Sequence, residues 1–310
     1  MESGACAQIP GLGCAAHAPN RRHSLKKSIL SLAAFFARLL PAGFKRQLYR
    51  MPRLAGILRR LLNRAAPQGM SRMVVAAGLL KGYSLNLDMQ TEKDHWLGTY
   101  ELELQDALKE LVKPGMTAYD VGANIGYISL MLALLVGESG RVFAFEALPA
   151  NTIRWQGNVD LNGLSGRMQL FCGAVADSNT PLRFLVHASG GMGKAAGSAG
   201  RQNAYQDEIE VRGVSLDEFV FGQGNPPPRI IKMDIEGGEV LALPGMRRLL
   251  KEARPSLVME LHGQESIRVS WEILSSLGYR MCWMKPGFPQ VASPGELDWK
   301  AYLVALPEPE

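Results

Sequence analysis

Six polar side chains stand where a buried strand hands over to a turn, and they set the chemistry open to this chain of 310 residues. Asp120 closes the predicted strand "TAYDVG", and Glu146 closes "RVFAFEA". Asp234 and Glu236 end "RIIKMDIEG", while Glu260 and His262 end "PSLVMELHG". Unpaired charge is costly to bury, so five acids and a histidine at one rim are hard to explain as packing. In open α/β sheets ligands sit outside the carboxyl ends of the strands, which is where these residues fall.

The stretch "AYDVGANIGYISLML", Ala118 to Leu132, reads as a strand, a sharp turn and a helix. Gly122 allows the turn, and Gly126 lets the helix approach closely. The spacing Gly-Ala-Asn-Ile-Gly lacks the middle glycine by which dinucleotide binders admit a pyrophosphate. Asp120 just before the turn repels phosphate and attracts an ammonium or sulfonium group. That favours S-adenosylmethionine over a nicotinamide dinucleotide. Glu146, twenty-six residues on, fits a ribose diol, which both cofactors carry.

These motifs resemble the FkbM-type methyltransferases. The resemblance covers about Gly98 to Gly263, through "GTYE", "AYDVGANIGYISL", "VFAFEALPAN", "LFCGAVADS", "GVSLDEF", "IIKMDIEGGE" and "PSLVMELHG". The glycine turn is generic to S-adenosylmethionine enzymes; "KMDIEGGE" followed by "ELH" is the specific part. The resemblance implies a Rossmann-like class I methyltransferase fold. It places the cofactor on Asp120, Gly122, Ala123, Asn124 and Gly126, the ribose on Glu146, and the adenine against Ala174 and Val175. Family members mostly methylate hydroxyl groups of small molecules, sugars or natural-product intermediates.

For such an O-methyl transfer, the enzyme aligns an oxygen with the methyl, excludes water and gains from a base. His262 is the expected base because its ordinary pKa lies near neutrality. Asp234 and Glu236 are alternatives for that role or for orienting substrate hydroxyls. The acid cluster with Glu239 would also suit a hard divalent ion, but spacing does not separate a metal site from a polar pocket, and no metal is expected.

The elements that position these residues follow from periodicity. From Met116 onward short strands and helices alternate, which gives an α/β fold with a mostly parallel seven-stranded sheet and helices on both faces. "GYSLNLDMQ" alternates as a half-buried strand, and "YELELQDALKELVKPG" reads as a helix. One helix is expected from about Glu239 to Lys251. The Gly-rich stretch from Ser189 to Gly200 reads as a mobile loop over the substrate. Its "GGMGKAAGS" is not a phosphate loop, because Ala188 and Ala195 replace the required glycine and hydroxyl residue. "NPPPR" at Asn225 is a turn.

Composition is globular, with 47% apolar and 20% charged residues, so global disorder is excluded. The net charge of +5 is unevenly spread. Met1 to Arg64 holds twelve Lys or Arg against one acid, Glu2, and the remainder is mildly acidic. Residues 1–22 read as disordered, 23–80 as a basic helical extension and 81–310 as the methyltransferase domain. "FKRQLYRMPRLAGILRRLLNR" interleaves arginines with apolar residues at helical spacing, which suits either an anionic membrane surface or packing on the body. Four scattered cysteines form no metal or disulfide pattern, and the expected setting is cytoplasmic, with peripheral membrane contact. No apolar run reaches the roughly twenty residues of a span. The expected partner is a small molecule or glycan. The rival readings are an RNA methyltransferase using the basic arm, a nicotinamide-dependent oxidoreductase, and a non-catalytic scaffold. The acidic body and the lack of aromatic-basic interleaving count against nucleic acid.

Overall fold

The structure, a computed structural model, describes residues 21–40, 43, 44, 47 and 51–309. The disorder expected of residues 1–22 therefore lies outside the described residues, except that Arg21 and Arg22 begin a helix. That helix, α1 (Arg21–Leu39), is followed by α2 (Pro52–Ala65), whose proline sits at a helix start where its missing N–H costs nothing. A hairpin of β1 (Met70–Val74) and β2 (Ser84–Asp88) comes next. In β2 the alternating side chains Leu85 and Leu87 are buried, as the sequence pattern requires. Helices α3 (Lys93–Leu97) and α4 (Leu102–Leu111) lead into the main sheet.

There the chain alternates: β3 (Thr117–Val121), α5 (Tyr127–Val136), β4 (Arg141–Glu146), α6 (Pro149–Asp160) and β5 (Met168–Cys172). It then leaves the sheet through β6 (Ala174–Val175), β7 (Leu182–His187), β8 (Gly193–Ala195), β9 (Tyr205–Val211) and β10 (Gly213–Val214). It returns as β11 (Ile230–Met233), α7 (Glu239–Ala242), α8 (Arg247–Glu252), β12 (Ser256–His262), α9 (Gln264–Ser276), β13 (Tyr279–Trp283) and β14 (Lys300–Pro307).

The central sheet has seven strands in the order β13-β14-β12-β11-β3-β4-β5. The five strands from β12 to β5 run parallel, and β14 is antiparallel to both its neighbours. Both faces are covered, and the two-residue period sorts each strand between them. Ala118, Val142, Ala144, Ile230 and Val258 join the core under α5. Tyr119, Phe143, Phe145, Ile231 and Leu257 join the core on the opposite face. Strand order reverses between β3 and β11, and that reversal opens a crevice at their carboxyl ends.

Two expectations are corrected. The helix expected from Glu239 to Lys251 is broken, because Pro244 has no backbone N–H to continue it, and the chain tightens into a turn over Leu243–Met246. The Gly-rich stretch is not a free loop. It contributes β8 to a three-stranded antiparallel sheet, buries Lys194, and donates a hydrogen bond from Ala199 N to Gly237 O (2.9 Å). Among the described residues no helix is long and apolar enough to cross a membrane.

Candidate functional site

The glycine turn is held from both sides. Gly122 has φ +78°, and a Cβ there would lie 1.9 Å from the carbonyl oxygen of Asp234, so only glycine lets β3 and β11 close together. Gly122 N and Ala123 N both donate to Phe145 O at 3.0 Å, which ties the turn to β4. Gly126, at φ +88°, leaves room for the Trp155 ring, which a Cβ would meet at 2.9 Å.

Glu146 ends β4 and is nearly buried. Its carboxylate accepts from Asn124 N (2.8 Å), Leu148 N (2.9 Å) and Asn151 Nδ2 (3.3 Å). Burial pushes its pKa up, and these three donors pull against that rise. Glu146 thus lines the crevice and also braces the glycine turn through Asn124. Ala174 and Val175 line the same crevice beyond Gly173.

Asp120 is placed differently from expectation. It is fully buried, accepts from Ser129 Oγ, and lies 3.3 Å from Lys232 Nζ. Lys232 also donates to Gly122 O at 2.7 Å. Burial works against its ammonium, but Asp120, Asp234 and Glu101 outweigh that and hold its pKa up at about 12. Asp120 therefore does not present its charge to a ligand. Its carboxylate is matched from behind by a lysine on the neighbouring strand, because a bare buried carboxylate is too costly to keep. The negative charge facing the crevice comes from Glu101, Glu146, Asp234 and Glu236.

His262 stands behind the crevice and is not among its described lining residues. It is 3% exposed and sits among three carboxylates. Its Nε2 lies 2.9 Å from Glu260 Oε1 and 3.4 Å from Asp234 Oδ1, and its Nδ1 lies 3.8 Å from Glu236 Oε2. Among the described residues neither ring nitrogen finds a directed hydrogen bond, so these are ion-pair contacts. Burial lowers its pKa, but Asp234, Glu260 and Glu236 together raise it to about 10. Those carboxylates favour the protonated ring, and a protonated imidazole has no lone pair to offer as a base. Asp234, Glu260 and His262 each offer one ligand atom within 4.8 Å of the others, a spacing that could hold a metal ion. The Lys300 ammonium on Glu260 and the imidazolium of His262 already supply positive charge there, so we read the cluster as an ion-pair network. Asp234 and Glu236 line the crevice in front of it.

The fold brings in residues that a search of strand ends misses. Glu101 stands at the start of α4 in left-handed backbone (φ +48°) and lines the crevice. Burial, then Asp234 and Glu260, raise its pKa to about 7. Beside it, His95 stacks on Tyr100 (centroids 4.1 Å apart) and meets Tyr127 edge-on (4.7 Å). Burial drives His95 down to about 4, so this ring is neutral. The only trace in the sequence is "GTYE", whose role cannot be read without knowing that α4 faces the sheet's rim.

The crevice takes an adenosine-bearing sulfonium well. It encloses about 1050 Å³ including its open mouth, and the Gly122–Asn124 backbone admits close approach. Tyr127 Oη and His95 Nδ1 are buried at its wall and find no hydrogen-bond partner among the described residues. Among its described lining residues Lys232 is the only lysine or arginine, and its charge is matched by Asp120. A diphosphate would meet four carboxylates there, whereas a positive sulfur is stabilised by them.

Comparison with known proteins agrees. The profile of the methyltransferase FkbM domain family matches residues 120–281. A hexuronic acid methyltransferase of Haloferax volcanii is 24% identical over 191 residues, covering 59% of this chain and 72% of that protein. A protein-L-isoaspartate O-methyltransferase of Triticum aestivum is 33% identical over 64 residues, covering 21% of this chain and 28% of that protein. Among solved structures, the FkbM methyltransferase of Methylobacillus flagellatus KT aligns with a TM-score of 0.40 and 17% identity. That alignment covers 72% of this chain and spans 56% of the other.

Proposed function

The chain belongs to the FkbM methyltransferase family, and we propose that it moves the methyl group of S-adenosylmethionine to a hydroxyl oxygen of a sugar, glycan or other polyhydroxylated small molecule. The observation that carries this reading is the ring of Glu101, Glu146, Asp234 and Glu236 around a tightly packed glycine turn. Similarity to a hexuronic acid methyltransferase supports a sugar as acceptor.

S-adenosylmethionine, when bound, supplies an electrophilic methyl on positive sulfur. The Gly122–Asn124 backbone and Glu146 would hold the adenosine, and Ala174 and Val175 would lie against its base. Asp234 and Glu236 accept hydrogen bonds from acceptor hydroxyls and orient one of them. With S-adenosylmethionine bound, the Glu101 carboxylate would take the proton of the hydroxyl that accepts the methyl group. A base with a pKa near the working pH is best suited to that transfer, and Glu101 has one where His262 does not. Cys172 and Cys282 are free thiols, which suits the reducing cytoplasm.

The test is calorimetric titration of the full chain with S-adenosylmethionine and with a nicotinamide dinucleotide, followed by mass spectrometry of glycans and small metabolites from cells with and without the gene. Binding of the methyl donor alone, with one acceptor lighter by a methyl group when the gene is missing, supports the reading. Binding of the dinucleotide alone would overturn it.

A further inference from the structure

Helix α1 is apolar on two opposite sides. Leu30, Ala33, Ala34 and Ala37 follow the i, i+3, i+4, i+7 spacing; Ala37 is buried, and the other three pack against the main core. Leu32, Phe35, Phe36 and Leu39 repeat the same spacing two residues later, which is about 200° around a helix. These four are between 48% and 62% exposed. Phe35 and Phe36 meet edge-on with centroids 5.8 Å apart, so the outer stripe is a patch rather than scattered side chains. Arg38 Nε donates to Ala76 O at 3.0 Å and fixes which side faces out.

Helix α2 differs: its apolar residues share one broad face, exposed at one edge and buried at the other. Leu62 and Ala65 are buried, while Ile57 and Leu61 are exposed, and α1 packs against α2. A helix lying on a protein body in water ordinarily turns polar residues outward. A contiguous apolar face marks a docking surface.

Charge identifies the occupant. The chain from Met1 to Arg64 carries twelve Lys or Arg and one acid, a local charge of +11. A second copy would bring the same charge against it, and like charges oppose that pairing. Nucleic acid would satisfy the cations but leave the phenylalanines and leucines in water. An anionic lipid surface satisfies both, with apolar side chains at the acyl boundary and basic ones among the headgroups. We propose that the outer face of α1 and α2 docks this protein on an anionic membrane, with Leu32, Phe35, Phe36 and Leu39 as the inserted residues. The helices lie in the plane of the interface, and the crevice stays on the aqueous body. This inference does not depend on the identity of the methyl acceptor.

The test is co-sedimentation of the full chain with vesicles of phosphatidylcholine alone or mixed with phosphatidylglycerol, at low and high salt. The chain should partition at least tenfold more to the anionic vesicles, and high salt should reverse most of that gain. The double variant Phe35→Ser, Phe36→Ser should lose about tenfold in partitioning, and Arg60→Glu should lose several-fold, with circular dichroism and S-adenosylmethionine affinity unchanged in both. Four outcomes would overturn the proposal: no preference for anionic vesicles, full binding by the double serine variant, self-association that the serines abolish, or salt-sensitive RNA binding that they leave intact.

Discussion

Lys232 Nζ lies 3.3 Å from Asp120 Oδ1, across neighbouring parallel strands and with both side chains buried. The pair sits directly behind the glycine turn, and Lys232 also holds Gly122 O. Asp120 thus serves the cofactor crevice as a support for the turn, while the acids that face a ligand come from other strand ends and from α4.

Breaking this pair should cost stability more than cofactor affinity. Lys232→Met leaves a buried carboxylate without its counter-charge and should destabilise the fold by about 3–5 kcal/mol. Adding Asp120→Asn in the same chain should recover much of that loss, because no bare charge remains. Urea unfolding midpoints of the two variants check this; equal midpoints would show that the pair contributes no such coupling.

Glu101 is expected to act as the base. Glu101→Gln should lower kcat by about 10²–10⁴-fold and weaken S-adenosylmethionine binding far less, since three other carboxylates still face the crevice. Because only the deprotonated carboxylate accepts a proton, the rate of the parent enzyme should rise with pH through about 7 and then level. The glutamine variant should lack that limb. Retention of full kcat by the variant would send the search for the base elsewhere.

Glu146 should matter to binding instead. Glu146→Ala removes hydrogen bonds from a charged acceptor and should weaken S-adenosylmethionine by about 1–3 kcal/mol. It also releases Asn124 N, so Glu146→Gln, which keeps an acceptor oxygen for that turn, should lose less. Calorimetry on both variants separates the two contributions, and unchanged affinity in a folded alanine variant would remove Glu146 from the site.

Glu239 gives the fold a pH dependence. It is fully buried, accepts from Ser266 Oγ (2.6 Å), and its pKa is raised by burial from 4.5 to about 7. Between those values the folded state keeps a proton that the unfolded chain has lost, so stability should fall as pH rises through that window. The full effect is on the order of 3 kcal/mol, reached above the folded pKa. Glu239→Gln, which cannot ionise, should be the more stable form at pH 8 and differ little at pH 4. Thermal melts across that range check the sign; a parent that gains stability over the glutamine variant as pH rises would contradict it.

Much of this molecule was legible in the order of its residues. Strand after strand ends in a polar side chain, and the two-residue period of Ala118, Tyr119 and Val121 already states that both faces are covered. Gly122 and Gly126 announced the turn, and Glu146 announced the rim, because backbone freedom and an acid after an apolar run are local properties.

Partnership is not local, and there only the tertiary structure decides. Whether Asp120 faces a ligand or a lysine depends on Lys232, more than a hundred residues away and one strand over. Whether His262 holds a free lone pair depends on three carboxylates, two of which arrive with a different strand. Glu101 joins the rim because α4 is folded against it, and α1 shows a second apolar face only once the first has found its core. The sequence carries each side chain's own chemistry and the rhythm of its element. Burial and the distance between charges set the protonation state and the direction each group faces, and those belong to the packed chain.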